Sequence, residues 1–208
     1  GFESVRFKGV ASHEVTHAIP LSGARGTIFA QRADGNGRPL CYAFREADAP
    51  QGAEQRRVVD AEFMARSINV RMLSEGHAYP GVYTSTPVPH RKPLADAVQA
   101  ARGRSLGVWA RDSSRAFTLE SQASIGPGGQ LIFPKLFRRC TDYLVSVSKG
   151  FTGTLPEWFE AVGRLSRGEA ERVWVGDQER HFAELLAQTG SRVTFTADLL
   201  DLVFQENP

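Results

Sequence analysis

Near the start of the chain, two groups of residues have types and spacing suited to chemistry. His13, Glu14 and His17 form an H-E-x-x-H pattern, which on a helix would hold zinc between two imidazoles beside a glutamate base. Arg6 lies in a stretch that alternates apolar and basic residues, and Arg38 follows a D-G-N-G turn sequence. Guanidinium groups bind phosphate or carboxylate through paired hydrogen bonds. The residues therefore indicate either metal-assisted hydrolysis or phosphate binding.

The surroundings of the H-E-x-x-H pattern disfavour a zinc peptidase. The preceding residues have a strand pattern, and Pro20 follows three residues after His17, so a helix could not continue there. Pro20 and Gly23 stand where that class of enzyme has a glycine and a third histidine. We keep a zinc peptidase as the remote alternative. Binding of a metal by His13 and His17 beside Glu14 is a further alternative.

The first half of the chain shows strand patterns followed by helical ones. Residues 5–10, 26–33 and 38–46 predict three strands, and the D-G-N-G sequence predicts a hairpin between the last two. Residues 67–75 place their apolar side chains on one helical face. After an extended, proline-rich connection, a second helix is expected to begin at Pro93.

The composition shifts after about residue 120, where a glycine-rich linker follows. Beyond it the pattern predicts helices over 133–147 and 155–165, and short strands over 173–175, 192–196 and 201–204. No motif in this half indicates a chemical activity. We therefore predict two domains, residues 1–120 and residues 121–208, the second of unknown role.

The bulk composition is that of a globular protein. The 208 residues carry a net charge of +2, and 41% of them are hydrophobic. No apolar run approaches the roughly 20 residues of a membrane helix, so we expect a soluble protein. Cys41 and Cys140 are too few for a disulfide framework and are expected to be reduced, which favours the cytoplasm while the location stays open.

Four segments, in order, resemble the staphylococcal nuclease-like (thermonuclease) family over about residues 5–112. The family patterns are V-R-L-x-G-I-D-A-P-E, D-x-Y-G-R-x-L-A-Y, V-N-x-x-L-V-x-x-G-x-A and A-x-x-A-x-x-x-x-x-G-x-W. The matching segments are residues 5–14, 34–43, 69–79 and 97–109. The resemblance implies an α+β protein: a five-stranded OB-fold β-barrel with flanking helices. We expect a mainly helical C-terminal domain with a small β element to follow it.

The resemblance also implies phosphodiester hydrolysis of DNA or RNA. Arg6 and Arg38 would clamp the scissile phosphate, and Glu14 would act as the general base or orient the attacking water. Tyr83 and Tyr79 would contact the nucleotide. The family's metal is calcium, bound by carboxylates and a backbone carbonyl.

One departure bears directly on activity. Ala11 stands where the family has a metal-binding aspartate, so the sequence does not assign the metal ligands and predicts impaired hydrolysis. The alternative is a catalytically inactive OB-fold module that binds nucleic acid or a protein partner. Single-stranded DNA or RNA is the expected partner, with a protein partner possible through the C-terminal domain and no membrane.

Overall fold

The structure is a computed structural model that mixes helices with small antiparallel sheets. It describes residues 2–7, 15–20, 25–33, 37, 39–49, 59–126, 128–165 and 171–205. Arg6 and His17 are described, whereas Ala11, His13, Glu14 and Arg38 lie outside these ranges. None of the described helices is both long and apolar enough to cross a membrane.

The first half of the chain contains two strand hairpins and then three helices. The elements are β1 (Phe2–Phe7), β2 (Val15–Pro20), β3 (Gly26–Ala33), β4 (Pro39–Arg45), α1 (Ala61–Met64), α2 (Ile68–Ser74) and α3 (Val88–Gly103). The antiparallel pair of β3 and β4 confirms the expected strands at 26–33 and 39–45, whereas residues 34–36 of the expected turn lie outside the described residues. The expected helix over 67–75 is confirmed as α2.

The second half alternates helices with short strands. The elements are β5 (Ala116–Thr118), α4 (Gln122–Ile125), α5 (Pro134–Ser148), α6 (Leu155–Leu165), β6 (Arg172–Val175), β7 (Gln178–His181), β8 (Leu186–Thr189), β9 (Arg192–Phe195) and β10 (Leu202–Phe204). Helices α5 and α6 and strands β6, β9 and β10 match the sequence predictions closely. This half contains more strands than the sequence predicts. Strands β7 and β8 are not predicted because they lack the apolar alternation that would indicate a strand.

The strands form four small antiparallel sheets within the described residues. The strand orders are β1-β2, β3-β4, β10-β6-β7 and β5-β9-β8. No closed barrel is formed by the described parts of the chain. The α+β character therefore stands, while the OB-fold remains a prediction of the resemblance.

Two apolar clusters form the interior of the described structure. The first lies between the β3–β4 hairpin and the three helices after it: Phe44, Val59, Phe63, Met64, Leu73, Leu94, Val98, Ala101 and Trp109. The second runs from Phe117 to Phe204 and is centred on α5, α6 and the two three-stranded sheets. Tyr79 and Leu199 pack against both clusters. The predicted domain boundary near residue 120 stays a prediction.

Helix α3 begins earlier than the sequence predicts, and the prediction that Pro93 starts this helix is wrong. The helix starts at Val88 with Pro87 as its N-cap, so Pro93 lies inside it. The first turn is anchored by His90, which is buried and bonded through both ring nitrogens. These tertiary contacts stabilise a first turn that local proline chemistry alone disfavours.

Strand β2 bears on the H-E-x-x-H pattern. Val15 to Pro20 form an extended strand paired with β1, and His17 lies opposite Arg6 in that register. The zinc-peptidase site requires both histidines on one helical turn. Because His17 lies on a strand, the zinc-peptidase alternative is wrong.

Candidate functional site: a tyrosine-lined cleft

A cleft of about 440 Å³ lies in the first half of the chain. Its walls are the β3–β4 hairpin, α2 and the segment from residue 78 to residue 87. The residues that define its character are aromatic or amide side chains: Phe29, Tyr42, Asn69, Tyr79 and Tyr83. This volume falls in the range of about 300–1,000 Å³ typical of small-molecule sites.

The β3–β4 hairpin provides an aromatic wall. Phe29 and Tyr42 are directly opposite in the antiparallel register, so their side chains leave the same face of the ribbon. Phe29 also contacts the rings of Phe44 and Phe63 edge-on, at centroid distances of 5.6 and 5.4 Å. Phe44 and Phe63 stack at 4.3 Å in the apolar interior. The wall is therefore held rigidly from behind.

The side-chain amide of Asn69 fixes α2 against β4. Its Oδ1 accepts a hydrogen bond from the backbone N–H of Ala43 at 2.9 Å, and its Nδ2 donates to the carbonyl of Cys41 at 3.2 Å. Ser67 is the N-cap of this helix, and its hydroxyl accepts a hydrogen bond from the Val70 N–H. This N-cap and the amide pair together set the angle at which α2 closes the cleft.

Tyr42 is held by a buried histidine. The His90 Nε2 lies 2.7 Å from the carbonyl oxygen of Val59, which can only accept, so this nitrogen carries the proton. In the neutral ring, Nδ1 then accepts from the Tyr42 hydroxyl at 2.9 Å. Burial raises the pKa of Tyr42, so its phenol stays neutral at physiological pH.

Tyr79 is held by the carboxylate of Asp112. Its hydroxyl donates to Asp112 Oδ1 at 2.8 Å, and the same oxygen accepts from the backbone and the hydroxyl of Ser114. Burial, together with the hydrogen bond to Asp112, raises the pKa of Tyr79 well above its ordinary value. Its ring packs edge-on against Trp109 at 5.1 Å. Tyr79 is thus a fixed neutral wall of the cleft.

Tyr83 also lines the cleft, on a segment that is hydrogen-bonded to β10. Its backbone N–H donates to the hydroxyl of Thr86 at 3.1 Å. Its ring packs against Phe204 at a centroid distance of 5.9 Å. Arg91 donates to the carbonyls of Thr84 and Thr86, which closes the turn before α3.

Among the described residues that line the cleft, none is an acid or a base that is charged at neutral pH. The tyrosine phenols and the Cys41 thiol are the only titratable groups among the described lining residues. Such a surface favours a flat, largely apolar group with few hydrogen-bonding atoms. None of these described lining side chains would pair with the charge of a phosphate or other anion.

Comparisons with known proteins assign no family to the chain. No family model, curated protein or solved structure matches this chain. The function proposed below therefore depends on the chemistry of the cleft and on the resemblance of the four sequence segments.

The structure describes part of the predicted site. Tyr79 and Tyr83, predicted to contact a nucleotide, both line the cleft. Arg6 is exposed on β1. Glu14 and Arg38 fall outside the described residues, so the expected convergence of the three catalytic groups stays a prediction.

The described residues do not fit a calcium site. No group of three or more His, Cys, Asp or Glu side chains among them could hold a metal ion. Ala11 and Glu14, the positions that the resemblance associates with the metal, lie outside the described ranges. No step of the proposed function is assigned to calcium.

Most residues that line the cleft are not predicted from the sequence. In the sequence, Tyr42 belongs only to the expected strand over 38–46, and Asn69 only to the helical pattern over 67–75. A signal was present for Asn69, because an amide near the start of an amphipathic helix is a candidate for a bond to a neighbouring strand. His90 carried no such signal, since its partners lie 31 and 48 residues away.

Proposed function

We propose that this protein binds single-stranded nucleic acid, with a base inserted in the tyrosine-lined cleft. The observation that carries the proposal is that Tyr79 and Tyr83 line one neutral cleft together with Tyr42. Aromatic side chains stack on any base, and such stacking contributes about 1–3 kcal/mol per base. The described lining of the cleft carries no charge, which suits a nucleobase better than a phosphate.

The phosphates would then be bound outside the cleft. Arg6 is an exposed cation on β1, and the resemblance assigns Arg38 to the same task. Guanidinium groups contact phosphate oxygens in pairs. Each phosphate neutralised releases counterions, so the affinity is expected to fall steeply as the salt concentration rises.

The test is fluorescence anisotropy with a labelled oligothymidylate at low and at moderate salt. Tyr83→Ala should weaken binding by about 5- to 150-fold, the equivalent of one lost stacking contact. Tyr83→Phe is the matched control, since it keeps the ring and should retain near-normal affinity. Absence of binding at low salt would contradict the proposal and favour a module that binds a protein partner.

Phosphodiester hydrolysis is the second candidate function. The observation in its favour is that Arg6 and His17 are both exposed and lie opposite each other on β1 and β2. A guanidinium can stabilise the charge of a phosphorane-like transition state, and an imidazole can transfer a proton. By resemblance, Arg38 and Glu14 would complete the site.

A nuclease assay with calcium, with manganese and with a chelator tests this second function. We expect weak cleavage at most, because Ala11 replaces the family's metal-binding aspartate. Ala11→Asp should raise metal-dependent cleavage. Arg38→Ala should abolish any cleavage, since losing a contact made in the transition state costs about 2.7–4 kcal/mol. Cleavage that survives Arg38→Ala would place the active site elsewhere in the chain.

A further inference from the structure

The wall of the cleft that carries Tyr83 is hydrogen-bonded to the last strand of the described chain. The N–H of Phe204 donates to the carbonyl of Val82 at 2.8 Å, and the N–H of Thr84 donates to the carbonyl of Phe204 at 2.9 Å. Phe204 belongs to β10, which pairs with β6 in the second half of the chain. The cleft wall is therefore an extension of a C-terminal sheet.

A charged cluster from the second half lies directly behind this wall. The ammonium of Lys135, on α5, lies 4.4 Å from the ring centroid of Phe204 and 5.9 Å from that of Tyr83. It is held there by Glu171, with a Nζ to Oε1 distance of 2.7 Å. The two side chains are only 14% and 15% exposed, so the contact is largely shielded from water. Shielding strengthens a cation–π contact.

Glu171 has a second cationic partner. Arg139 donates to both of its carboxylate oxygens, at 3.0 and 3.1 Å, from one turn further along α5. Burial by itself raises the pKa of Glu171, but the hydrogen bond from Arg139 and the charge of Lys135 outweigh it, so the pKa is lowered. The carboxylate therefore stays ionised and keeps Lys135 in place over the two rings.

Tyr79 is also held through contacts that lead to α5. Its partner Asp112 is bound by Ser114, whose hydroxyl accepts from the backbone N–H of Phe133 at the start of α5. Two of the three cleft tyrosines are thus fixed by groups that lead into α5. Tyr42 depends instead on His90 in the first half.

We propose that Lys135, held by Glu171, is a positioning residue for the base-binding cleft, and that setting this wall is a function of the C-terminal half. The charge of Lys135 holds the rings of Phe204 and Tyr83 in place. The backbone hydrogen bonds of Phe204 then fix the position of the segment from Val82 to Thr84. The effect of Lys135 on affinity rests on the proposed nucleic-acid binding, whereas its effect on the position of the wall does not.

Lys135→Met is the informative variant in the full-length chain. It keeps the length of the side chain and removes its charge, while Arg139 continues to pair Glu171 and prevents an isolated buried carboxylate. Lys135→Arg is the matched control, because it restores the charge. Lys135→Gln, polar and uncharged, replaces the methionine variant if that variant fails to fold.

The first measurement is amide hydrogen exchange without ligand at Thr84 and Phe204, the two donors that join the wall to β10. Exchange at these amides should rise by about three- to thirtyfold in Lys135→Met, which corresponds to the loss of one largely shielded cation–π contact. Amides in α2 should exchange as in the unaltered protein. Lys135→Arg should return Thr84 and Phe204 to their original rates. Unchanged exchange in Lys135→Met would overturn the inference.

The second measurement is the affinity for oligothymidylate. Lys135→Met should weaken binding by about three- to tenfold, and Lys135→Arg should restore it. If the unaltered protein binds no oligonucleotide but exchange rises as expected, the proposed function fails while the positioning of the wall is supported. If exchange rises and the affinity does not change, the role of Lys135 in binding is overturned.

Discussion

The two cysteines show how much the surroundings of a residue determine its chemistry. Cys140 is fully buried in the second apolar cluster, and burial raises the pKa of its thiol to about 12. Cys41 is half-buried on β4 and lines the cleft. Both are free, as the sequence predicts. Only the thiolate form reacts with alkylating reagents, so these residues should differ sharply in reactivity.

We expect an alkylating reagent at neutral pH to modify Cys41 in the native protein and to leave Cys140 unmodified. Peptide mass spectrometry after a timed reaction measures both sites in one sample. Denatured protein is the control and should be modified at both residues. A bound oligonucleotide should slow the reaction at Cys41 if the cleft is occupied. Rapid modification of native Cys140 would show that the second cluster opens readily.

At the scale of elements, the end of α2 depends on a close approach between two glycines. Gly76 has a φ of 72° and Gly107 a φ of 53°, both in the left-handed region that favours glycine. The carbonyl of Gly76 accepts from the N–H of Val108 at 2.8 Å. A Cβ on Gly76 would overlap the carbonyl of Leu106. This contact sets where the chain leaves α2 toward Tyr79.

Gly76→Ala should therefore lower the free energy of unfolding by about 1–3 kcal/mol or more, from the strained φ and the overlap with backbone. Gly103→Ala is the matched control, because Gly103 is in α3 and a Cβ there meets nothing within 4 Å. The control should raise stability by up to about 1 kcal/mol. Urea unfolding measures both changes. Equal effects of the two variants would contradict the close approach.

At the scale of the whole molecule, the two apolar clusters are joined by polar contacts as well as by shared side chains. Arg102 on α3 donates to both carboxylate oxygens of Asp198 at 2.8 Å. Lys135 and Glu171 lie behind the rings of Phe204 and Tyr83. These contacts indicate that the cleft depends on the second half of the chain.

The lowered pKa of Glu171 makes part of the stability dependent on pH. Its contribution is fully present above the unfolded pKa of about 4.3 and is lost as the pH falls through the lower, folded value. The midpoint temperature of thermal unfolding should therefore fall more steeply from neutral to acid pH for the unaltered protein than for Glu171→Gln. The variant itself should be less stable at neutral pH by about 3–5 kcal/mol at most, since two cations lose their partner. Parallel profiles would show that Glu171 titrates normally.

Local sequence patterns were sufficient for many elements. Helices α2, α5 and α6 have apolar residues at helical spacing, and the D-G-N-G turn between alternating segments predicts the β3–β4 hairpin. Strand β7 was missed because all four of its residues are exposed at a sheet edge, which leaves no alternation to detect. The start of α3 was misplaced because His90 anchors it through distant partners.

For the site, the amino-acid sequence shows which residue types are available: arginines near the first strands and tyrosines after α2. Resemblance to a known family selected Tyr79 and Tyr83, and both line the cleft. Only the tertiary structure added Tyr42 and Asn69, and only it placed Lys135 behind the wall. The physical reason is that side-chain spacing follows from local backbone geometry. A cleft wall depends instead on contacts between residues as far apart as Val82 and Phe204, which no local pattern records.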